Sequence, residues 1–342
     1  MDTSILGTLF AIAPDLMEEV ELRALVLERV AALGPIGRRA LAQRLHAAER
    51  EVRSAADALK DTGLIAQSAA GMELTDDGRV LVDAARAVSR GRRSLGSMEL
   101  ALARKLNVER VCVVRGDADM DEGVLEEAAR AAAGQLRFLL QDAQVLAVSG
   151  GRTMAKVAGE IALAAPMDVT VVPAQGGMAA PMGVQANTLA EAFAARLGGQ
   201  YRLIHLPEGM SAAAAEEICR LPQVREGLEL VRHADVLLYG IGRAGEAARR
   251  RALGAGEREA LTRQGAAGEA LGFYFSAEGA VIGSRSTLAL RAQELGRASD
   301  TAAVAAGRSK AEAIIAVCMH HPHRLLVTDE GAASRMMELL RV

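Results

Sequence analysis

The 342-residue chain is predicted to be an α/β protein in two parts, a winged helix-turn-helix followed by a larger, doubly wound α/β domain. Three observations carry this expectation. Up to about residue 90, apolar residues recur at helical spacing in short segments separated by turn signals. Beyond about residue 110, short apolar runs alternate with Ala-rich helical stretches. The apolar content is 51%, yet aromatics make up 2% and Trp is absent. It is mostly Ala, Leu and Val, the composition of helices and of parallel strands buried on both faces. The expected boundaries are 1–90 for the first domain, a connecting helix to about 106, and 107–342 for the second.

In the first domain, Arg23 to Leu33 places Leu25, Val26, Arg29 and Val30 on one helical stripe, and Gly34-Pro35 stops it. Gly37–Leu45 is a second helix, turning Ala40, Leu41 and Leu45 inward. After a short turn, Ala48–Thr62 is a third, with Val52, Ala55, Ala56 and Leu59 on its apolar face. Gly63 ends it. Leu64–Gln67 and Met72–Thr75, joined by a Ser-Ala-Ala-Gly turn, are expected to form a β-hairpin wing. Helix, helix, short turn, helix is the arrangement that seats its last helix in the major groove.

Charge follows this pattern. The whole chain has a formal net charge of −3, but residues 23–95 hold 13 Lys/Arg against 9 Asp/Glu. Arg38 and Arg39 open the second helix, where free backbone N–H groups also meet phosphate. Arg50 and Arg53 lie in the first turns of the third, within reach of base edges. These four are the candidate DNA contacts. The competing reading is ordinary surface charge on a small helical domain, and a third is a protein-contact module for assembly; steep salt dependence of DNA binding separates them.

In the second domain, Val111–Val114, Val145–Val148, Val169–Val172, Val236–Tyr239, Thr301–Ala305 and Leu325–Thr328 read as buried parallel strands. Three strand ends carry glycine turns. Val148-Ser149 runs into Gly150-Gly151-Arg152-Thr153 and a helix from about Met154 to Ala164, an anion cradle in which Thr153 offers a hydroxyl and Arg152 a guanidinium. Thr301–Ala305 runs into Gly307-Arg308-Ser309-Lys310, which puts Lys310 beside a second helix N-terminus at the same sheet edge, where open α/β sheets bind ligands. Val236–Tyr239 runs into Gly240-Ile241-Gly242 and a helix with Arg249, Arg250 and Arg251, of which one or two can face a single ligand. None of these turns is a Walker or dinucleotide fingerprint.

The stretch from Phe10 to Ile65, above all Gly34-Pro35-Ile36-Gly37-Arg38-Arg39-Ala40-Leu41-Ala42 and Glu49-Arg50-Glu51-Val52-Arg53, resembles the N-terminus of the SorC family of bacterial transcriptional regulators. The likeness continues through Gly176-Gly177, Gln185, Asn187, Gly240-Ile241-Gly242, Gly268-Glu269, Gly272-Phe273-Tyr274-Phe275 and Gly307–Lys310. The resemblance implies a repressor of glycolytic or other carbohydrate genes, bound to operator DNA as a homo-dimer or tetramer. It implies a sugar-phosphate-binding second domain of the glucosamine-6-phosphate deaminase and ribose-5-phosphate isomerase fold, with fructose-1,6-bisphosphate as effector. It places one phosphate at Gly151, Arg152 and Thr153 with Lys310, and brings Gln185, Arg250 and Glu269 to the sugar or a second phosphate; Gly150, Gln175 and Gly242 are further candidate effector contacts. Two positions depart from the family pattern: Arg152 replaces the first of a Thr-Thr pair, and Gln175 stands where an Arg usually precedes Gly-Gly. A monophosphate or triose phosphate therefore stays open as effector.

Other classes fare less well. Cys112, Cys219 and Cys318 form no Cys-x-x-Cys pair, which argues against a disulfide framework or zinc site. His320-His321-Pro322-His323 is read as a polar turn, because Pro322 breaks helical ligand spacing and no acidic partner cluster completes a metal set. Met336 and Met337 are read as core. No apolar run approaches the roughly 20 residues of a membrane helix, and no basic leader precedes the first acids, so a cytoplasmic protein without membrane contact is expected. No cofactor, metal or catalytic residue is assigned. An isomerase or deaminase of the same fold is the alternative, with Glu269 or Glu246 as its base.

Overall fold

The computed structural model describes residues 14–45, 47–68, 70–162, 165–177, 181–204, 212–284, 294–295, 298 and 300–342. The chain divides into two compact units, residues 1–94 and 95–342.

In the first unit, α1 (Pro14–Leu33), α2 (Arg38–Leu45) and α3 (Glu49–Asp61) precede a hairpin of β1 (Ile65–Ser68) and β2 (Gly71–Leu74). Val26, Leu27, Val30, Leu41, Val52, Ala55, Ala56, Leu59, Ile65 and Met72 form its core. The expected stripe on α3 is the buried one; on α1, Leu25 is only half-buried and Leu27 takes the inner position. An extra bridge ties Ile36 to Met72 across the hairpin, through Met72 N–H donating to Ile36 O at 2.9 Å. Gly71 fits this crossing: its φ is +137°, and a methyl there would stand 2.7 Å from the Ile36 nitrogen. The result is a winged helix-turn-helix.

α4 (Asp76–Leu106) runs on from the hairpin, contributing Ala85 to the first core and Leu102 and Leu106 to the core of the second unit. There follow β3 (Val108–Val114), α5 (Glu122–Leu139), β4 (Gln144–Val148), α6 (Arg152–Glu160), β5 (Val169–Pro173), α7 (Ala186–Leu197), β6 (Gln200–Tyr201), α8 (Ala212–Cys219), α9 (Pro222–Arg232) and β7 (Val236–Gly240). The chain continues with β8 (Gly242–Arg243), α10 (Ala244–Arg250), α11 (Ala255–Arg263), β9 (Ala266–Ala270), β10 (Phe273–Ser276), β11 (Val281–Ser284), β12 (Asp300–Val304), α12 (Ala311–Cys318), β13 (His323–Asp329) and α13 (Glu330–Leu340).

Among the described residues, seven strands form one parallel sheet in the order β3-β13-β12-β7-β4-β5-β6. Both of its faces are buried, and successive side chains alternate between two cores. Ala147, Leu237, Tyr239, Ala303 and Leu326 pack on one face, and Leu146, Val148, Leu238, Val304 and Val327 on the other. This double burial is why the strands read as continuous apolar runs. From β4 the chain winds outward to β5 and β6, then returns to place β7 on the other side of β4. The order reverses there, so the crevice beyond the carboxyl ends of β4 and β7 is the topological switch point.

Two features depart from the sequence expectation. β8 to β11 form a separate antiparallel sheet in the order β11-β10-β9-β8, built partly from Ala and Gly that carry no strand period. The histidine segment is a turn leading into β13, as expected, but its rings pack together where solvated polar side chains were expected. His323 is buried, its Nε2 lies 2.6 Å from the Tyr239 hydroxyl, and its ring stacks on His321 at 4.3 Å. Burial and neighbouring imidazoles push His321 down to about 3, and burial takes His323 down to about 4. Among the described residues no group of three or more His, Cys, Asp and Glu could hold a metal ion, and no helix is long and apolar enough to cross a membrane.

Candidate functional site

The switch point is lined by three turns. The turn after β4 is stitched to β7: Ser149 N–H donates to Leu238 O at 3.0 Å, and Gly240 N–H donates to Ser149 Oγ at 3.3 Å. Gly150 is half-buried, and a methyl there would sit 2.8 Å from Val184 O and 3.0 Å from Gln175 Nε2. Only a glycine lets the 3₁₀ turn Met182–Val184 and Gln175 close this wall. Gly151 caps α6 with φ +116°, a conformation L side chains avoid, while the space beside its Cα is open. Its N–H donates to Val184 O at 2.8 Å. Arg152 and Thr153 are the first residues of α6, and among the described residues no side chain caps this helix. The arrangement is an open helix N-terminus with an exposed guanidinium at its first position.

The turn after β12 is built differently. Gly307 N–H donates to Asp329 Oδ2 at 2.8 Å, Arg308 N–H to Asp117 Oδ1 at 3.1 Å, and Ser309 N–H to Asp119 Oδ2 at 2.6 Å. Its amides are thus taken by carboxylates from the β3–α5 loop and from the end of β13. With these amides occupied, the turn presents a side chain. Lys310 is half-buried at the cap of α12. Burial lowers its pKa first and Arg152 adds to the shift, while Asp119, Glu246 and Asp329 oppose it. The ammonium and the Arg152 guanidinium are therefore two cations close enough to repel, and Arg152 is itself the first residue of α6.

The third turn brings the remaining residues together. Gly240 faces Thr153, whose Cβ would lie 3.7 Å from a methyl at 240. A methyl on Gly242 would lie 3.7 Å from both Arg250 Nη2 and Glu269 Oε2. Glu269 is buried on β9, accepts from Arg251 at 3.1 Å and Gly272 N–H at 2.8 Å, and stands 3.7 Å from Arg250. Arg250 remains half exposed. Gln175 is buried just past β5, and Gln185 caps α7. Gly150, Gly151, Arg152, Thr153, Gln175, Gln185 and Lys310 thus lie at loop ends or helix starts at this edge, Gly242 and Glu269 on the small sheet, and Arg250 at the last turn of α10. Sequence reasoning missed Asp117, Asp119 and Asp329. Asp329 alone carried a readable signal, an Asp between a strand and a helix, and it does cap α13 through Ala332 N–H at 3.0 Å.

In the first unit, Arg39, Arg50 and Arg53 stand exposed on α2 and α3. Arg38 does not stand free. Its Nη2 donates to Asp57 Oδ1 at 2.6 Å and Gln67 Oε1 at 3.0 Å, tying α2 to α3 and to the wing. Arg44, at the end of α2, is exposed and was not anticipated.

Comparison with known proteins adds the following. Residues 93–338 match the family of sugar-binding domains designated Sugar-bind, and residues 20–88 match the CggR N-terminal DNA binding domain. The chain is 32% identical over 325 residues to the central glycolytic genes regulator of Bacillus subtilis strain 168, covering 95% of this chain and 96% of that one. A structure from Enterococcus faecalis assigned to the SorC family of transcriptional regulators is 31% identical with a TM-score of 0.66, covering 70% of this chain and 99% of that one. The full-length sorbitol operon regulator SorC from Klebsiella pneumoniae shares the fold at a TM-score of 0.67 and 19% identity, covering 95% of this chain and 98% of that one.

Proposed function

Because this chain belongs to the SorC family of transcriptional regulators, we propose that it is a cytoplasmic repressor of glycolytic or related carbohydrate genes, released from its operator by a phosphorylated sugar. Fructose-1,6-bisphosphate is the effector this reading favours, in line with the glycolytic relative. The winged helix binds the operator through Arg39, Arg50 and Arg53, with Arg38 as a strut that holds α2, α3 and the wing in register. Two half-sites require at least a homo-dimer, and a tetramer serves equally.

The observation that carries the effector reading is the convergence of Arg152, Lys310 and the uncapped start of α6 at the switch point. Two cations held together at a half-buried site repel until a dianion arrives, and the open N-terminus offers that anion its amides. At the other end, Arg250 and Glu269 beside Gly242 present a cation and a hydroxyl acceptor to the rest of the sugar. The enzyme alternative needs a carboxylate free to move a proton, whereas Glu269 is held by Arg251 and the Gly272 amide.

A thermal-shift panel tests the reading. Fructose-1,6-bisphosphate, fructose-6-phosphate, glucose-6-phosphate and dihydroxyacetone phosphate are compared with unphosphorylated fructose. Stabilisation by phosphorylated sugars and none by fructose is expected. Equal stabilisation by fructose, or by none of the five, would overturn the sensor assignment.

A further inference from the structure

Every basic residue on the exposed face of α2 and α3 has an obvious use against DNA phosphates. The exposed acids at the start of α3, Glu49 and Glu51, do not, and of the two it is Glu49 that arginines of both helices engage. Glu49 opens α3, with its carboxylate between two exposed arginines. Arg39 Nε lies 3.6 Å and Arg53 Nη2 3.5 Å from the same oxygen, Oε1. Among the described residues no donor reaches Oε2, and the Glu49 side chain is 43% exposed. We propose that Glu49 is a base-reading residue, its carboxylate accepting a hydrogen bond from an exocyclic amino group of the operator. This rests on the DNA-binding reading of the first unit.

The chemistry follows from position and charge. The N-terminal residues of a recognition helix point at base edges. An ionised carboxylate can only accept. In the major groove only cytosine N4 and adenine N6 donate, while guanine and thymine turn acceptor oxygens outward. A carboxylate held at this point therefore favours cytosine or adenine and repels the others, a selection by exclusion as much as by attraction. Left alone among phosphates it would weaken binding. Arg39 and Arg53 offset that repulsion and aim the group, engaging one oxygen while the other stays available. The competing use of Glu49 is local: an acid in the first turn complements the helix dipole, and the Ala48 cap contributes no side-chain bond. That role predicts an effect on stability and none on base preference.

The test is selection from a duplex library randomised over one operator half-site, using the full chain as wild type, Glu49→Ala and Glu49→Gln, with thermal unfolding of each. The wild type is expected to enrich cytosine or adenine at one position. Glu49→Ala is expected to lose about tenfold discrimination there and nowhere else, while binding unrelated duplex more tightly because a negative charge has left the phosphate-facing surface. Glu49→Gln, whose amide suits adenine, is expected to move the preference to adenine at that same position. Base preferences unchanged at every position in the alanine variant, with or without a fall in melting temperature, would overturn the proposal. If the wild type enriches no sequence, the DNA-reading assignment itself fails and the proposal falls with it.

Discussion

The turns after β4 and β12 both leave a parallel strand at the same sheet edge, both pivot on a glycine with φ above +100°, and both lead into a helix. In the proposed effector site they offer an anion opposite kinds of contact. The β4 turn keeps the first amides of α6 uncapped and has open space beside Gly151. The β12 turn gives its amides to Asp329, Asp117 and Asp119, and offers the ammonium of Lys310 from a loop those carboxylates hold in place. Fixed dipoles suit the first contact, because they need no reorganisation. A point charge needs a rigid support, because a flexible lysine loses entropy on pairing. The proposed site thus combines a backbone cradle with a clamped side chain.

The clamp is where the largest effect is expected. Asp329 is fully buried and accepts from the amides of Gly307, Ala118 and Ala332. Asp329→Ala leaves three donors without that acceptor and is expected to cost about 3 kcal/mol or more, read by chemical denaturation; a loss below about 1 kcal/mol would mean the turn is held by other means. The two glycines sharpen the contrast. Gly151→Ala meets only backbone strain, about 1–3 kcal/mol. Gly307→Ala adds a collision, since its methyl would stand 2.6 Å from Asp119 Oδ1. The 307 variant should therefore be the less stable of the two, and equal or reversed losses would contradict the described packing.

Lys310→Ala should separate binding from stability. Its charged form is disfavoured by burial and by Arg152, so removing it is expected to leave unfolding unchanged or slightly harder, while effector affinity measured by calorimetry falls about tenfold or more. A matching fall in stability would show that the lysine is structural. The smallest effect is in pH. The free protein's Lys310 has a lowered pKa, and a bound phosphate raises it again by opposing charge. Binding thus takes up protons at alkaline pH, and affinity should decline as pH rises toward and through the lowered value, ahead of an ordinary lysine. In Lys310→Ala this decline should vanish.

What could be read from the chain beforehand follows local physics. The β-branched and leucine runs of β4, β5, β7, β12 and β13 declared a sheet buried on both faces, and Gly34-Pro35 and Gly63 bounded the helices around the DNA-reading element. The Gly150–Thr153 turn was legible because strand, glycines and helix are contiguous. The clamp was not, because Asp117 and Asp119 lie some 190 residues from Arg308 and Ser309 and no local period links them. β9, with sequence Ala-Ala-Gly-Glu-Ala, carries no alternation of apolar and polar residues. The tie of Arg38 to Asp57 was not legible because the two are 19 positions apart, and the burial of His323 was not because it depends on Tyr239 from another strand.

In the proposed function an anion at the switch point governs DNA binding by the first unit. Fluorescence anisotropy of a labelled duplex carrying the promoter of the protein's own transcription unit tests it directly, with fructose-1,6-bisphosphate or fructose titrated into the complex. Saturable release by the bisphosphate is expected, with none by fructose, and with Lys310→Ala binding the duplex normally but failing to respond. Unchanged anisotropy with the bisphosphate and with the phosphorylated monosaccharides, or equal release by fructose, would contradict it.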